Sequence, residues 1–336
     1  MPKVTIVQVI YNNRKFIEPV FSAIFRQTYK DFRVVAVISG NNDNSKELLQ
    51  KKFPEVEIID PGYNIGFAKG HNLVFEKYKS DFFQLVNPDL IMEPDYLEKI
   101  LLAFGDPNVG AATGKLYQVP ESGIMNFEMW KSEQNKNIID TTGVTIYKSG
   151  KARDRGQHEV DFKQYDRFNI VDAVSGAGCM YRLTALEEVK EKKMNENSVN
   201  RGYEYFDEDF HSYWEDVDLA WRMKNFGWKN LFVPDAIAYH GRGAGSNKGG
   251  YWNLFSYIRH HKSLDTRVKK LNYKNHIFMY IKNSPWFYPQ FFIREFFMLI
   301  YIVLFEKKTL SVLPEIFRNL PKIWQKRIAI KNRPQN

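Results

Sequence analysis

Asp89, Asp216 and His240 are the residues of this chain whose types and positions best suit chemistry. Asp89 ends the block Asn87-Pro88-Asp89, which follows an apolar strand-like run, and His240 ends another such run. Asp216 lies at the start of a predicted helix. A carboxylate and an imidazole at the ends of parallel strands can hold one divalent cation, Mg²⁺ or Mn²⁺, which in turn binds phosphate oxygens. A second carboxylate nearby can accept a proton.

Each of these residues also has an ordinary structural interpretation. Asn, Pro and Asp are common turn formers, so residues 87–89 alone are better explained by a turn. Ser212 and Glu215 have the spacing of a helix capping box, and acidic residues in a first helical turn suit the helix dipole. A single histidine such as His240 is more often structural than a ligand. The glycine-rich segment that follows it favours a ligand, because bare backbone amides can approach phosphate oxygens.

Helical geometry separates the acidic residues at the start of this helix. At roughly 100° per residue, Asp216 and Asp218 lie on nearly opposite faces. Asp218 can pair with Arg222 four residues on, which is a structural role. Asp216 is therefore free to point elsewhere. We assign Asp216 as the general base and Glu215 as its flanking support.

Two further segments have features that suit an anion. Arg242 could pair with phosphate groups, and the alternative is a surface arginine in a flexible loop. Residues 64–72 open a predicted helix with small residues, and helix starts bind anions where glycine lets the backbone approach. The alternative is a simple turn from strand to helix. Neither a Walker A sequence nor a dinucleotide fingerprint is found, so ATP hydrolysis and NAD binding lose support.

Apolar strand-like runs alternate with helical patterns through the first third of the chain. The predicted strands are residues 4–10, 33–38, 56–59, 82–86 and 109–113, and the predicted helices are residues 15–27, 45–52, 67–78 and 94–104. This alternation predicts an α/β fold with right-handed crossovers and a mostly parallel sheet. Ligands bind beyond the carboxyl ends of the strands in such sheets. We therefore expect Asp89, Asp216 and His240 to lie close together at one edge of the sheet.

The remaining chain is less regular. We expect residues 115–170 to cover the site, with a hairpin arm near residues 143–147, and residues 187–205 to form an exposed loop. Regular structure is predicted to resume over residues 171–182, followed by helices from residue 184 and over residues 215–226. Residues 241–250 contain five glycines, which predicts a mobile segment. The predicted domain boundary follows, with a domain over residues 1–245 and a basic, aromatic, mainly helical extension over residues 246–336.

Composition narrows the class of protein. The 336 residues are 44% hydrophobic, enough for a sizeable core, and the single cysteine, Cys179, excludes an internal disulfide framework. The N-terminus shows no signal-peptide pattern, so the expected location is cytoplasmic. The net charge of +9 favours acidic partners such as nucleotides, nucleic acid or an anionic membrane face.

The C-terminal segment is rich in aromatic residues. Its uninterrupted apolar part, residues 296–305, is well short of the ~20 residues that span a bilayer. Arg294 and Glu295 precede it, and Lys307 and Lys308 follow it. We predict a pair of interfacial helices on the inner, anionic face of the cytoplasmic membrane. A packed helix or a dimer interface is an equal alternative, so an oligomer stays open.

Taken in order, several blocks resemble a family 2 glycosyltransferase with the GT-A fold, over residues 3–245. The blocks that carry the resemblance are residues 9–13, 64–72, 87–89, 175–182, 206–210 and 214–219, together with Arg222, residues 234–236 and His240. The subgroup is most similar to bacterial rhamnosyltransferases that build cell-surface polysaccharide, and somewhat similar to galactofuranosyltransferases.

The resemblance implies an inverting enzyme that uses a nucleotide-diphosphate sugar. The best match is L-rhamnose from dTDP-rhamnose, moved to a hydroxyl of a growing, lipid-linked cell-surface glycan; the alternative is a galactofuranosyl, hexosyl or N-acetylhexosaminyl transferase with a UDP-sugar. By position, Asp89 and His240 would bind Mg²⁺ or Mn²⁺, and Asp216 would be the base. The expected donor-binding residues are Tyr11, Asn12, Ser39, Asn64, Gly66, Phe67, Lys69, Asn72, Asn87 and Arg242.

The sequence departs from the family pattern at two places. The family usually has an Asp-Asn pair after the second strand that helps to hold the base and ribose, and here the aligned residues are Ile38 and Ser39. Asp43 or Asp60 could compensate. The first acidic position of the metal motif is Asn87, and the loss of this charge makes His240 more important.

Two other classes of protein share some of these features. A sugar nucleotidylyltransferase should show a glycine-rich, arginine-containing loop after the first strand, whereas residues 11–14 are Tyr-Asn-Asn-Arg. A non-catalytic module could use the basic C-terminal segment to bind a membrane or nucleic acid. Nucleic-acid readers usually carry recognisable motifs, and none is evident, so no nucleic-acid partner is expected.

Overall fold

The first four strands form the parallel half of a ten-stranded sheet. The computed structural model describes residues 2–40, 42–134, 137–194, 202–241 and 264–332. Runs of Val, Ile and Phe place buried side chains on both faces of these strands, as expected where helices cover both sides of a sheet. The strands are β1 (Val4–Ile10), β2 (Phe32–Ile38), β3 (Glu57–Ile59) and β4 (Phe82–Leu85), in the order β3-β2-β1-β4.

The second half of the sheet is mixed. β6 (Val109–Gln118) and β14 (Lys229–His240) are parallel, and β11 (Cys179–Arg182) is antiparallel between β4 and β6. The shorter strands β5 (Leu90–Met92), β7 (Ile139–Thr141) and β10 (Asn169–Val171) pair with β14 or β6. The regular structure predicted over residues 171–182 is interrupted, because residues 172–178 form a loop between β10 and β11.

Helices cover both faces of this sheet and enclose a hydrophobic core on each. They are α1 (Ile17–Phe25), α2 (Ser45–Lys52), α3 (Gly66–Lys77), α4 (Tyr96–Leu101), α5 (Glu121–Met125), α6 (Phe127–Glu133), α7 (Leu183–Val189) and α8 (Glu215–Asn225). One core includes Phe21 of α1 and Leu97 of α4, and the other includes Phe75 of α3 and Leu219 of α8. The α/β class predicted from the alternation is confirmed.

The chain order places a crevice between β1 and β4. β2 and β3 lie on one side of β1, whereas β4 lies on the other. Such a change of direction opens a gap beyond the carboxyl ends of the two strands. Asn12 follows β1 at this edge, and Asn87 and Asp89 follow β4.

Two hairpins complete this part of the chain. β8 (Val144–Ile146) and β9 (Ala152–Asp154) form the predicted arm. β12 (Glu191–Lys192) pairs with β13 (Tyr203–Glu204), and both glutamates are buried. The prediction of an exposed loop over residues 187–205 is wrong here, because Glu191 and Glu204 meet buried lysines from the C-terminal helices.

Three long helices follow, α9 (Thr266–Asn283), α10 (Pro289–Phe305) and α11 (Leu313–Lys331). Phe278 and Met279 of α9 belong to the same core as α3 and α8. The predicted boundary after residue 245 and most of the predicted mobile segment fall outside the described residues, so both stay predictions. In the described part of the chain, no helix is both long enough and apolar enough to cross a bilayer.

Candidate active site

Strand pairing brings Asp89 and His240 together. β5 follows Asp89 directly and pairs antiparallel with the end of β14, so that Leu90 lies opposite His240. Asp89 Oδ1 lies 3.4 Å from His240 Nε2. The Asn87 side-chain amide nitrogen lies 3.3 Å from the same ring atom. The sheet thus joins three predicted site residues that are far apart in sequence.

A residue that sequence reasoning missed, Asp140 of β7, holds the other side of the imidazole. Asp140 Oδ2 lies 2.9 Å from His240 Nδ1, and Asp140 is fully buried. A carboxylate on the second ring nitrogen fixes the orientation of a metal-binding histidine and increases its basicity. The only available signal was an acidic residue within a short apolar run, which does not reveal its partner.

The Asp89 and His240 side chains fit a divalent cation. Two ligands bound at right angles, each about 2.1 Å from a cation, lie about 3 Å apart, close to the observed separation. In the described part of the chain, no group of three or more His, Cys, Asp or Glu side chains could hold a metal.

The charge on His240 depends on this pair of carboxylates. Burial acts to lower the pKa of His240, but Asp89 and Asp140 outweigh burial and raise the pKa to about 10. Without a cation the imidazole is therefore protonated on both nitrogens, and positively charged, at neutral pH. A metal can bind Nε2 only after that proton leaves, so cation and proton compete for the same atom.

Asp216 is connected to this pair through residues 175–178. Its Oδ2 accepts a hydrogen bond of 2.7 Å from the Gly176 amide. The next residue, Ala177, accepts a hydrogen bond of 2.8 Å from the Asn87 amide. A Cβ at Gly176 would lie 3.1 Å from Asp216 Oδ2, which leaves little room for a side chain at that position. One short loop thus contacts both the predicted base and the block that contains Asp89.

Burial changes the basicity of both acidic residues at this helix start. Burial raises the pKa of Asp216, and hydrogen bonds from the Gly176 and Val217 amides only partly oppose it. Asp216 is therefore a stronger base than an exposed aspartate. Burial and the adjacent Asp216 raise the pKa of Glu215 well above its usual range. Its role as support for Asp216 stays a prediction.

The predicted capping box is wrong. α8 begins after Trp214, which has a left-handed conformation and makes no side-chain cap. The Ser212 hydroxyl instead accepts a hydrogen bond of 3.3 Å from the Phe67 amide at the start of α3. The predicted pairing of Asp218 with Arg222 is confirmed at 3.3 Å.

The start of α3 is not an open anion site. The amides of Gly66, Phe67 and Ala68 donate to the Asn64 side chain, the Ser212 hydroxyl and the His211 carbonyl. A Cβ at Gly66, which has a φ of +78°, would lie 2.5 Å from the His211 ring. The first amides of α3 are thus bound within the protein, and the predicted donor contacts of Asn64, Gly66 and Phe67 stay predictions.

Asn72, also predicted to bind the donor, has a structural role. It is 1% exposed, and its amide group donates 2.8 Å to the Phe206 carbonyl. Its side-chain oxygen accepts 2.9 Å from the Phe206 amide. Both ends of the side chain are therefore in use within the protein, and its donor contact stays a prediction. Lys69 is partly exposed on the same helix, and its donor contact stays a prediction.

Tyr11 and Ser39 are both predicted to bind the donor. They directly follow β1 and β2, at the edge of the sheet where the crevice opens. Tyr11 is 47% exposed, and a Cβ at Gly40 would lie 3.3 Å from its ring. Ser39 is buried; its hydroxyl lies 3.1 Å from Asn64 Oδ1 and accepts 2.9 Å from the Ile65 amide. Ser39 therefore shapes the residue 64–65 turn. Arg242 lies outside the described residues.

The two carboxylates suggested as replacements for the missing Asp-Asn pair are both engaged. Asp43 accepts 2.9 Å from the Arg14 amide and 2.6 Å from the Ser45 hydroxyl. Asp60 lies 2.7 Å from the Lys46 ammonium group. Asp43 therefore organises the start of α2, whereas Asp60, at the carboxyl end of β3, lies at the same edge as the crevice.

The fold and this edge define the chain as an α/β enzyme of the GT-A class. Residues 5–189, more than half of the chain, match the family model described as Glycosyl transferase family 2. The chain belongs to glycosyl transferase family 2.

Three comparisons show how distant its relatives are. The chain is 22% identical over 296 residues to the N-acetylglucosaminyl-diphospho-decaprenol L-rhamnosyltransferase of Mycobacterium tuberculosis, covering 84% of this chain and 85% of that protein. It is 27% identical over 149 residues to an uncharacterized glycosyltransferase of Haemophilus influenzae, covering 41% of this chain but only 46% of that protein. The mannosyltransferase PcManGT from Pyrobaculum calidifontis, solved with GDP-Man and Mn²⁺, superposes with a TM-score of 0.52 at 16% identity, over 98% of this chain and 74% of that chain.

Proposed function

We propose that this chain is a metal-dependent, inverting glycosyltransferase that moves a sugar from a nucleotide diphosphate to a hydroxyl group. The observation that carries the proposal is that one short loop links the Asp89–His240 pair to Asp216. Asp89 and His240 lie 3.4 Å apart, and residues 175–178 connect their neighbour Asn87 to Asp216. A cation-binding pair beside a basic carboxylate suits the departure of a diphosphate and the removal of a proton.

Each residue has a defined task in this proposal. Asp89 and His240 would hold Mg²⁺ or Mn²⁺, and Asp140 orients His240 through Nδ1. When bound, the cation supplies positive charge to the diphosphate leaving group. Asp216 accepts the proton of the acceptor hydroxyl as that oxygen attacks the anomeric carbon from the face opposite the diphosphate. The hydroxyl becomes acidic as the bond forms, so a carboxylate is a sufficient base. A single displacement inverts the configuration.

The sugar and acceptor are inferred from one relative. The Mycobacterium tuberculosis protein, whose name specifies an L-rhamnosyl transfer to a decaprenol-linked acceptor, is matched over 85% of its length. We infer L-rhamnose from dTDP-rhamnose and a lipid-linked acceptor in cell-surface glycan synthesis. A galactofuranose or hexose donor activated with UDP is the second candidate, because Ile38 and Ser39 replace the usual nucleotide-binding pair.

A donor panel tests the proposed function. Thermal stability and sugar transfer are measured with dTDP-rhamnose, UDP-galactofuranose, UDP-GlcNAc and GDP-mannose, each with Mn²⁺ and with a chelator. We expect one donor to raise the Tm only when Mn²⁺ is present and to be the donor used for transfer. Stabilisation by that donor to the same extent in chelator would contradict the metal-dependent site. Failure of all four donors to bind or react would contradict the proposed substrate class.

Replacement of Asp140 by Asn should weaken metal binding without removing a proposed ligand. Loss of the carboxylate leaves the His240 ring less firmly oriented, and such changes lower metal affinity by about 10–100-fold. The measurement is a Mn²⁺ titration followed by electron paramagnetic resonance. Asp106→Asn is the matched control, because Asp106 pairs with Lys229 at the opposite end of β14. Equal Mn²⁺ affinity for parent and Asp140→Asn would show that Asp140 does not support the site.

The C-terminal helices carry a surface that fits an anionic membrane. Of the large apolar side chains of α10, only Phe291 and Ile302 are buried. The exposed ones are Phe292, Ile293, Phe296, Phe297, Leu299, Ile300, Val303, Leu304 and Phe305, each at least 38% exposed. Single exposed apolar residues are ordinary, but a continuous patch of this kind marks an interaction surface.

Charge distribution favours a bilayer over a second copy of the chain. Residues 264–336 contain 14 Lys and Arg against 4 Asp and Glu, whereas residues 1–263 contain 34 against 35. The positive excess therefore lies in the C-terminal region; Lys282 and Lys326 are buried, whereas Lys307, Lys308 and Arg318 are exposed. Two such surfaces would repel each other, whereas anionic lipids attract both charge and apolar side chains. We place the protein peripherally on the inner face of the cytoplasmic membrane.

Two charges placed in this patch should abolish membrane binding. In Phe296→Glu/Phe297→Glu the substituted positions are 61% and 64% exposed, so the fold is preserved while the apolar face gains negative charge. We expect loss of co-flotation with liposomes that contain anionic lipid. The control is Phe162→Glu, at a 77% exposed position elsewhere on the protein. Unchanged flotation of the double variant would refute the proposal, as would a parent dimer that the double variant turns into monomer while flotation persists.

A further inference from the structure

Three of the four residues before the helix that carries Asp216 have an unfavourable backbone conformation. Within residues 211–214, hereafter the 211–214 loop, His211, Tyr213 and Trp214 have φ values of 61°, 73° and 73°. The left-handed region is disfavoured for residues with a Cβ, so such a conformation persists only where surrounding contacts impose it. Asp216 follows two residues after the loop, and the loop therefore determines where α8 begins.

One buried side chain of α9 binds two carbonyls of the 211–214 loop and the carbonyl of Phe210, which precedes it. The Asn275 amide nitrogen lies 2.9 Å from the Phe210 and Ser212 carbonyls and 2.8 Å from the Tyr213 carbonyl. Asn275 is 0% exposed. Because all three partners are acceptors, only the NH₂ group can face them, which fixes the orientation of the side chain.

Further contacts from the same helix support the 211–214 loop. The Trp214 indole N–H donates 3.0 Å to the Asn272 side chain, and the Trp214 ring packs edge-on against His276 at 5.1 Å. Arg267 lies 2.8 Å from His211 Nε2. One face of α9 therefore contacts the loop along most of its length.

The loop also reaches the other elements of the site. The His211 carbonyl and the Ser212 hydroxyl accept hydrogen bonds from the first amides of α3. On the far side, Asp216 binds the Gly176 amide, next to the residue that binds Asn87. A shift of the 211–214 loop would thus move Asp216 relative to residues 175–178.

We propose that Asn275 is a positioning residue for sugar transfer, which acts by holding the 211–214 loop in the strained conformation that sets Asp216 against residues 175–178. The inference rests on the proposed function, in which Asp216 is the base. It assigns to α9 a part in the reaction as well as in folding. A displacement of the base by about 1 Å lowers the rate of transfer by up to about 100-fold. Asn275 can therefore affect the reaction although it does not contact the substrate.

The test is Asn275→Leu, which keeps the approximate volume and removes the donor group. We expect kcat to fall by about 10–100-fold, while donor affinity in the presence of Mn²⁺ stays at the parent value. We also expect the acid limb of the pH profile to move to higher pH. The Gly176 amide lowers the pKa of Asp216, so a weakened contact raises that pKa, and the base is protonated at a higher pH.

A milder variant keeps the test informative where Asn275→Leu folds poorly. Trp214→Phe retains an aromatic ring but removes the N–H that reaches Asn272, together with part of the indole. It should lower kcat in the same direction, with donor affinity unchanged and a smaller shift of the acid limb. Asn319→Ala is the control, because Asn319 contacts only the Glu315 carbonyl within α11 among the hydrogen bonds of the described residues.

The outcomes separate this inference from the proposed function. Parent-like kcat and pH profile in folded Asn275→Leu and Trp214→Phe would overturn the positioning role while leaving transfer by the parent intact. A loss of kcat with no shift of the acid limb would also overturn it, because Asp216 would then keep its contact. Absence of transfer by the parent with every donor would instead refute the proposed function.

Discussion

Asp216→Asn should lose most sugar transfer while it retains donor binding. The amide has nearly the shape of the carboxylate, and its oxygen can still accept the hydrogen bond from the Gly176 amide. It cannot accept a proton from the acceptor hydroxyl. Loss of a general base lowers turnover by about 10²–10⁴-fold. The measurement is the steady-state rate of transfer with the donor identified in the panel, together with donor affinity from calorimetry.

A matched substitution separates this effect from a general loss of negative charge. Asp31 is an exposed aspartate in the loop before β2, at the opposite end of that strand from the crevice. Asp31→Asn should transfer sugar at the parent rate. Transfer by Asp216→Asn at the parent rate would show that another group takes the proton.

Lys282→Met should give the largest loss of stability. Lys282 is 0% exposed and lies 2.8 Å from Glu191, 2.6 Å from Asp207 and 2.9 Å from Asp218. Methionine fills a similar volume but leaves these carboxylates buried with less opposing charge. Removal of one partner from a buried ionic group lowers the free energy of unfolding by about 3–5 kcal/mol. Equilibrium unfolding in urea, followed by circular dichroism, measures the change.

The control for this prediction lies on the neighbouring helix. Lys322 pairs with Asp209 at 2.7 Å, but both side chains are partly exposed to solvent. Lys322→Met should lower the free energy of unfolding by no more than about 1 kcal/mol. Equal stability of Lys282→Met and the parent would mean that the buried cluster contributes nothing to the attachment of α9.

This cluster also bears on how the chain is divided. Lys282 of α9 and Lys326 of α11 both contact Asp207, at 2.6 Å each. Since Asp218 of α8 contacts Lys282 as well, the C-terminal helices share buried charges with the helix that carries Asp216. Removal of residues after about 250 would therefore unpair buried carboxylates, so point substitutions on α10 are the cleaner test of membrane binding.

The parts of the fold that follow from local pattern could be predicted from the sequence. β1 and α2 have the predicted limits, because a β-branched apolar run and a polar helix with a clear end are each specified by neighbouring residues. The pairing of Asp218 with Arg222 follows from helical spacing. The alternation of strands and helices implied that Asp89 and His240 lie at one edge of the sheet, and they meet there because β5, which follows Asp89, pairs with the end of β14.

The incorrect predictions concern residues whose partners are distant in sequence. Asp140 contacts His240 only because β7 joins the sheet beside β6. Ser212 has the spacing of a capping residue, yet the left-handed conformation of Trp214 leaves it free to bind α3 instead. Glu191 is predicted to lie in an exposed loop, and long-range contacts bury it. No local pattern contains these contacts.

The central claim is that Asp89 and His240 hold a cation beside the diphosphate of the donor. The most direct measurement is an anomalous difference map at the manganese edge, from crystals grown with Mn²⁺ and the nucleoside diphosphate of the donor that binds. The account predicts one peak within about 2.5 Å of both the Asp89 carboxylate and His240 Nε2. A nucleotide in the crevice with manganese bound away from both side chains would contradict it.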